Sequence, residues 1–312
     1  MNENNDRIKL VLSDLLAIDD VMLVEESYAA QRWIGKTLEY MAKVKEDDVL
    51  AVLSIYDERN ELIGIALRDR DLDFWIIFTD VIADRAMKEE FGVRARLISG
   101  PKERAVAVNR ERFHEGVIEF YSVGLVNRLF CDCSVKEERF YPRARIEVLK
   151  KVISEFLSEH EIQIGHTKAL EIGCGTGGAT IALHELGIFP LAIDLNKCEI
   201  CKGLEEGVLD PRRSIVLDCS LLSSFFGREF DVVFGFMVGK LTPFERFNWE
   251  KVLREVPKIM KTKGKVLFTV ASEEEAEIVS EILQDVFTAE LKENKESDGY
   301  FDKWIYAGEL CR

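Results

Sequence analysis

The second half of the chain repeats one rhythm, in which short apolar runs alternate with segments of helical periodicity. From residue 168 onward the apolar runs are "KALEI", "LAID", "SIVLD", "FDVVFGF" and "GKVLFTV". Short strands joined by helices of about ten residues or more are typical of βαβ units and a parallel sheet. A helix opened by a capping box from Ser272 to Glu275 follows the last of these runs. The rhythm therefore predicts an α/β domain.

The end of the chain departs from this rhythm. "FTAELKE" and "KWIYAGE" are both strand-like, and only a polar turn separates them. A connection this short joins antiparallel strands, because parallel strands need a longer crossover. We expect an antiparallel hairpin at the edge of an otherwise parallel sheet.

The first half has a different pattern. Residues 6–44 have helical periodicity, and three β-rich runs at 49–56, 62–68 and 74–79 predict an antiparallel meander. A helix-like segment (80–91), the short apolar runs "RARLI" and "AVAV", and an aromatic-rich helix over about 111–130 follow. Pro142 is suited to the first position of another helix. We predict an N-terminal α+β domain over 1–140, which shapes a substrate or partner site, and an α/β domain over 141–312.

The stretch "LEIGCGTGG", Leu170 to Gly178, joins the first predicted strand of the α/β domain to a helix. Glycines between a strand and a helix expose backbone N–H groups and let a nucleotide-like ligand approach the main chain. Two patterns fit: Gly173, Gly175 and Gly178 match a dinucleotide fingerprint, whereas Gly173, Gly175 and Gly177 match G-x-G-x-G. Glu171 favours the second, because a carboxylate repels a diphosphate and attracts a cationic ligand such as a sulfonium nucleoside.

Two further acids end the next two predicted strands. Asp194 closes the second strand, where a carboxylate can accept both hydroxyls of a ribose, and Asp218 closes the third, where it can accept from an adenine amino group. Asp194 alone suits NAD as well as a sulfonium nucleoside. Carboxylates at the ends of three consecutive strands predict a nucleoside site at one edge of the sheet.

These motifs resemble those of the class I S-adenosylmethionine-dependent methyltransferases over about residues 145–309. "LEIGCGTG" looks like the first motif of that family, "LAIDLN" its acidic second-strand end, "VLDCS" its third-strand acid and "FDVVFGF" its fourth strand. The resemblance implies a Rossmann-like seven-stranded sheet that is mostly parallel and ends in a C-terminal antiparallel hairpin. It also implies S-adenosyl-L-methionine as cofactor.

The resemblance assigns roles to particular residues. Glu171 would order the glycine loop and face the methionine end of the cofactor, with Gly173, Gly175 and Gly177 beneath it. Asp194 would bind the ribose, with Leu195 against the adenine. The adenine amino group would bind Asp218 beside the Cys219 backbone, and Phe234 to Met237 would line the methyl and substrate side.

The fourth strand departs from one family pattern, because it continues as "GFMVGKLTP" and lacks the Asn/Asp-Pro-Pro-Tyr/Phe of enzymes that methylate amide or exocyclic nitrogens. The sequence therefore names neither the acceptor atom nor a catalytic base. We expect His114, Tyr121 and Tyr141 to pack or to lie at the surface rather than to catalyse.

The net charge of the chain limits the classes of molecule that could accept the methyl group. The formal net charge is −15 and both halves are acidic, which argues against RNA or DNA as the acceptor. One basic window, which contains Arg94, Arg96, Lys102, Arg104, Arg110 and Arg112, is interpreted as a solvated face, with an anion contact as the alternative.

The N-terminus has no signal-peptide pattern, and no apolar run reaches the length of a membrane helix. An odd number of cysteines, seven, predicts reduced thiols in a cytoplasmic protein, without disulfides. Cys131, Cys133, Cys198 and Cys201 could form a zinc site, but neither pair has turn glycines, and we interpret them as packing residues and expect no metal.

The sequence predicts a methyltransferase acting on a protein side chain or a small molecule. The alternatives are a regulatory module that binds S-adenosylmethionine or S-adenosylhomocysteine without turnover and, third, an NAD(P)-linked oxidoreductase.

Overall fold

A computed structural model describes residues 10–72, 74–98, 103–131, 141–237, 239, 241–242 and 244–311. The chain divides into two compact units, Met1–Phe130 and Cys131–Arg312. The boundary predicted between residues 140 and 141 adjoins the segment 132–140, which lies outside the described residues, so its position stays a prediction.

The N-terminal unit is an α+β unit built on a five-stranded sheet in the order β1-β4-β3-β2-β5. Its elements, in chain order, are α1 (Val11–Leu16), β1 (Val21–Leu23), α2 (Gly35–Lys43), β2 (Val49–Tyr56), β3 (Leu62–Asp69), β4 (Trp75–Thr79), α3 (Arg85–Ile98), β5 (Glu103–Ala107) and α4 (Arg110–Val126). The predicted meander is confirmed, because β2 pairs antiparallel with β3, and β3 with β4. The outer strands β1 and β5 pair in parallel with β4 and β2.

One prediction for this unit was wrong. The helical pattern over 6–44 is interrupted by β1. In the connection between α1 and β1, Ala17 and Asp20 have positive φ angles of 50° and 45°. Pairing of β1 with β4 overrides the local helical pattern, since propensity is weak against tertiary contacts. The apolar run "RARLI", to which the sequence assigned no element type, is the end of α3, whose buried Phe91 and Ala95 pack into the core beside α2.

The C-terminal unit has a seven-stranded sheet in the order β11-β12-β10-β9-β6-β7-β8. Its elements are α5 (Arg143–Glu159), β6 (Ala169–Ile172), α6 (Thr180–Glu185), β7 (Leu191–Asp194), α7 (Lys197–Glu205), β8 (Ser214–Val216), α8 (Leu222–Phe225), β9 (Phe230–Phe236), α9 (Arg246–Ile259), β10 (Met260–Val270), α10 (Glu273–Leu283), β11 (Phe287–Glu293) and β12 (Trp304–Leu310). Strands β6 to β10 pair in parallel, whereas β12 pairs antiparallel with both β10 and β11. The predicted sheet and its reversed hairpin are confirmed.

Strand order reverses beside β6. The chain runs from β6 through β7 to β8 at one edge, and then returns to place β9 on the other side of β6. In open parallel sheets the connections diverge at such a point and leave a crevice beyond the carboxyl ends of the strands. The fold therefore places the glycine loop that follows β6 at this crevice.

The core under this crevice is apolar. One buried face of α5, formed by Ile146, Leu149, Val152, Ile153 and Phe156, belongs to the same cluster as residues of β6, β9 and β10. The capping box predicted at Ser272 is confirmed: its side chain accepts from the Glu275 N–H, and Glu275 accepts from the Ser272 N–H. The packing of α5 fixes the helix that carries Arg145 and Ile146, two of the cavity residues described below.

Candidate cofactor site

The loop after β6 needs its glycines for two different reasons. Gly173, Gly175 and Gly177 have positive φ angles of 67°, 55° and 90°, which side chains rarely adopt. A Cβ at Gly177 would lie 2.7 Å from Val208 Cγ1, whereas a Cβ at Gly175 would meet open space. Gly177 therefore allows close packing beneath the loop, and Gly175 leaves volume above it.

Asp194, at the end of β7, holds this loop. Its Oδ2 accepts from the Gly175 N–H at 2.8 Å, and its Oδ1 accepts from the Asn196 N–H at 2.7 Å. The N–H of Gly173 donates to the Ile193 carbonyl at 2.8 Å. The loop conformation is thus tied to the neighbouring strand through both main chain and carboxylate.

Glu171 lies inside β6 and is 1% exposed. Thr180 Oγ1, in the helix after the loop, donates to Glu171 Oε2 at 2.7 Å. Burial raises the pKa of Glu171 to about 7, against the opposing effects of the Thr180 hydrogen bond and the positive charge of Arg145. A cation placed beside this carboxyl group would favour its charged form.

Two cavities meet at the glycine loop, and Gly173 lines both. The first, cavity A, has a volume of about 460 Å³ and is lined by Ile172, Gly173, Asp194, Leu195, Asp218, Cys219, Ser220, Asn248, Trp249, Lys251 and Val252. Two acids from successive strand ends therefore face one cavity. Asp218 Oδ1 accepts from the Ser220 N–H at 2.8 Å, and burial raises the pKa of the Cys219 thiol to about 12, so that this thiol stays protonated.

The second, cavity B, has a volume of about 360 Å³. It is lined by Tyr141, Pro142, Arg145, Ile146, Glu171, Gly173, Cys174, Gly175, Thr176, Gly178, Ala179, Glu199, Phe236, Met237 and Phe301. The Tyr141 hydroxyl lies 2.7 Å from Glu206 Oε2 and 3.1 Å from the Thr176 carbonyl oxygen. The charged residues that line cavity B are Glu171, Glu199 and Arg145. Those that line cavity A are Asp194, Asp218 and Lys251.

The structure places most of the predicted site residues at these two cavities, with two exceptions. Gly177 packs under the loop against Val208 and Leu209. Phe234 is fully buried and lies in the core, with its ring centroid 6.2 Å from that of Phe156. Phe236, two residues further along β9, lines cavity B. Phe234 and Phe236 therefore lie along β9 from the core to cavity B.

Sequence reasoning missed several lining residues. Trp249, Asn248 and Lys251 come from α9, and no local pattern connects that helix with Asp194. Arg145 and Phe301 lie at opposite ends of the unit's sequence. Tyr141 was assigned to packing or the surface, but it lines cavity B; its place just before the Pro142 helix start was the available signal.

The cysteines differ from expectation in one respect. Cys131 is disulfide-bonded, which contradicts the expectation of no disulfides. Its Sγ lies 3.9 Å from Sγ of Cys198. No group of three or more His, Cys, Asp or Glu side chains in the described ranges has a metal-binding arrangement. Cys133 lies outside those ranges, so the four-thiol zinc hypothesis stays untested.

The basic window of the N-terminal unit has acidic partners within that unit. Arg94 pairs with Glu90, Arg110 with Asp57 and Glu61, and Arg112 with Glu115. All four of these partners lie outside the window, and they favour the solvated-face interpretation; Lys102 is outside the described residues. Where the structure describes the chain, it contains no helix of the length and apolarity required to cross a membrane.

The C-terminal unit has a parallel sheet with a glycine loop at its reversal point and acids in or at the ends of three neighbouring strands. These features are typical of the class of α/β proteins that bind nucleosides. Residues 170–268 match the family model described as a methyltransferase domain. The C-terminal unit thus contains a stretch that matches a methyltransferase domain, and it has the sheet that the resemblance to class I S-adenosylmethionine-dependent methyltransferases predicted. These two findings support S-adenosylmethionine as the cofactor.

Three solved structures illustrate the likeness. The PH0226 protein from Pyrococcus horikoshii OT3 is 21% identical, with 58% of this chain and 94% of that chain covered and a TM-score of 0.42. The N-methyltransferase NodS from Bradyrhizobium japonicum WM9 is 17% identical, with 55% and 98% covered and a TM-score of 0.43. Magnesium protoporphyrin IX methyltransferase from Synechocystis PCC 6803, solved with bound S-adenosylmethionine, is 11% identical, with 65% and 98% covered and a TM-score of 0.41. No curated protein matches the chain.

Proposed function

We propose that this protein is an enzyme that transfers a methyl group from S-adenosylmethionine to a protein side chain or a small molecule. The observation that carries the proposal is the meeting of cavities A and B at Gly173, with acids suited to a nucleoside on one side and a buried carboxyl group on the other.

Cavity A suits the adenosine part of the cofactor. Asp194 would accept the ribose hydroxyls, as a carboxylate at this strand end does for other nucleosides. Asp218 would accept from the adenine amino group beside the Cys219 backbone, and the exposed Leu195 would cover one face of the base. These assignments use the acceptors that line the cavity and require no phosphate site.

Cavity B suits the methionine part. Glu171 is buried, and burial raises its pKa because desolvation disfavours its charged form. An ammonium and a sulfonium would supply a counter-charge, whereas a diphosphate would repel the carboxylate. Gly173 and Gly175 leave the main chain bare beside this part of the ligand.

The cofactor supplies a methyl group on a positively charged sulfur, which is already activated for in-line displacement. The chain then has to hold the acceptor in line with that methyl group and to exclude water. Phe236 and Met237, at the end of β9, give cavity B an apolar wall for this purpose. We assign no catalytic base.

The class of acceptor is proposed from the charge of the chain. A formal net charge of −15 disfavours a polyanionic substrate, because phosphate contacts favour basic surfaces. The acidic partners of Arg94, Arg110 and Arg112 offset part of the positive charge of the most basic window and so weaken the case for a nucleic-acid surface there. We propose that the N-terminal unit contributes to acceptor recognition.

Labelled methyl transfer tests the proposal. Purified protein and S-[methyl-³H]-adenosylmethionine are added to an extract of a strain that lacks the protein, and the extract is separated into protein, nucleic-acid and small-molecule fractions. We expect label in the protein or small-molecule fraction. Label in nucleic acid would contradict the acceptor class, and binding without transfer to any fraction would favour the regulatory module.

Calorimetric titration separates the remaining alternative. Binding of S-adenosylmethionine and S-adenosylhomocysteine, with no binding of NADH, is expected. NADH binding in the absence of S-adenosylmethionine binding would establish the oxidoreductase hypothesis instead.

A further inference from the structure

Asp302, in the connection between β11 and β12, is a buried carboxylate that joins several elements of the C-terminal unit. It is 1% exposed, and Arg145 of α5 donates to it from Nε at 2.6 Å and from Nη2 at 3.3 Å. Thr269 of β10 donates from Oγ1 to Asp302 Oδ1 at 2.5 Å. The carboxylate therefore has donors from two different elements and little contact with water.

Arg145 has a further side that faces the glycine loop. Its Nη1 would lie 3.8 Å from a Cβ built on Gly178, and the residue lines cavity B together with Glu171. A guanidinium group presents five N–H donors in a rigid fork. Because Asp302 receives donors from Nε and Nη2, the Nη1 edge is directed toward the loop.

Asp302 also contacts a second residue that lines cavity B. The Asp302 N–H donates to Met237 Sδ at 3.2 Å, and the Met237 N–H donates to the Thr269 carbonyl at 3.0 Å. Asp302 has a positive φ of 52°, so the turn holds it in a conformation that side chains rarely adopt. One residue thus fixes both a charged and an apolar wall of cavity B.

We infer that Asp302 is a positioning residue that orients Arg145 toward the carboxylate of the methionine part of the cofactor. The inference rests on the proposed function, in which Glu171 faces the ammonium of the same ligand. A bidentate contact fixes the plane of a guanidinium, and a fixed fork loses less entropy when it binds a second anion. Asp302 would therefore determine how strongly the site selects a ligand that carries a carboxylate.

Decarboxylated S-adenosylmethionine is the probe, because it keeps the sulfonium, the amine and the nucleoside and lacks only the carboxylate. Calorimetry would measure the affinities of S-adenosylmethionine and of this analogue for wild-type protein, Asp302→Asn and Arg145→Lys. We expect each variant to bind S-adenosylmethionine about tenfold or more weakly, the scale of a charge-assisted contact, and the analogue within about threefold of wild type.

Glu296→Gln is the matched control. Glu296 forms an ion pair with Lys151 that joins the same helix, α5, to the same connection, but both side chains are more than half exposed and neither lines a cavity. Removal of an exposed pair costs little. This variant should bind both ligands as wild type does.

The outcomes separate the inference from the proposed function. Equal losses for both ligands in Asp302→Asn and Arg145→Lys would show a merely structural role and would overturn the inference alone. Wild-type protein that binds neither ligand would overturn the proposed function and the inference together. If Asp302→Asn fails to fold, Arg145→Lys decides, because it keeps the positive charge while it loses the fork; unchanged selectivity in that variant overturns the inference.

Discussion

The main-chain N–H of Gly175 donates to Asp194 Oδ2 at 2.8 Å, so the acid at the end of β7 holds the glycine loop that follows β6. Oδ1 of the same side chain accepts from Asn196 N–H, and the residue lines cavity A. Under the proposed function, Asp194 has two roles: it shapes the loop and it binds the ribose.

Asp194→Ala should weaken S-adenosylmethionine binding by roughly 1.5–3 kcal/mol, the range for hydrogen bonds to a charged group. Calorimetric titration would measure the loss. Asp210→Ala is the control, because Asp210 also accepts a main-chain N–H two residues further on and lies outside both cavities. An affinity equal to that of the control would remove Asp194 from the site.

Gly177→Ala and Gly175→Ala should separate stability from binding. At Gly177 a Cβ would meet Val208 and Leu209 under 3 Å at a φ of 90°, so we expect unfolding to become easier by about 2–4 kcal/mol from strain and overpacking. At Gly175 the Cβ has open space beside cavity B, and only about 1 kcal/mol of backbone strain is expected.

Denaturant unfolding and calorimetry on the two glycine variants give the comparison. Gly175→Val, with a larger side chain directed at the ligand volume, should lose more affinity than Gly175→Ala. A Gly175→Val variant that binds as well as wild type would place the ligand elsewhere.

Glu171 should make cofactor binding pH-dependent. Its pKa is about 7 without ligand because the group is buried, and cationic ligand groups would lower that pKa, so that binding releases a proton. Affinity should therefore fall as pH decreases below about 7, by up to about tenfold per pH unit. Titrations from pH 5.5 to about 8.5, in buffers of different ionisation enthalpy, would measure the released proton.

Glu171→Gln is the matching variant, since it keeps the shape and an acceptor oxygen for Thr180 and cannot ionise. The pH dependence below 7 should disappear in this variant. Its persistence would assign the titration to another group.

The buried Asp80 of the N-terminal unit should make the stability of the folded protein pH-dependent. Burial raises its pKa from 3.8 to about 6, despite the positive charges of Lys88 and Arg110. Because the unfolded chain loses this proton near pH 4 and the folded protein holds it to about pH 6, stability decreases as pH rises through that window and is level above it.

Asp80→Asn should therefore stabilise the protein above pH 6 by about 1–3 kcal/mol, and the gain should vanish near pH 4. Thermal melts over pH 4–8 would measure the difference, with the exposed Asp19→Asn as control. A constant difference at every pH would indicate that packing, rather than ionisation, causes the change.

The sequence predicted the acids of the site because parallel strands bring their carboxyl ends to one edge. Glu171, Asp194 and Asp218 each lie in or just after a strand whose apolar run is evident, so their proximity follows from topology alone. Phe234 was assigned to the site from the family resemblance, but it lies deeper in its strand, opposite Glu171 in register, and packs in the core. Where a strand ends decides which of its side chains reach the cavity.

Other residues of the site had no local signal. Trp249 lies on a helix whose periodicity indicates only an apolar face, and its place over cavity A depends on how α9 packs beside the third strand end. The helical periodicity over 6–44 is interrupted for a related reason, since β1 pairs with β4, whose residues lie 54 positions further along the chain. Long-range pairing cannot be recovered from periodicity within a short window.

The bond between Arg145 and Asp302 spans 157 residues of sequence. During synthesis, α5 and the glycine loop leave the ribosome well before the turn that supplies Asp302. In the nascent chain, Arg145 of α5 therefore still lacks the Asp302 carboxylate as its partner. Contacts of such high sequence separation form late, because the intervening chain must be ordered first. Ligand binding by this unit should therefore be acquired only in the final stage of folding, when β12 enters the sheet between β10 and β11.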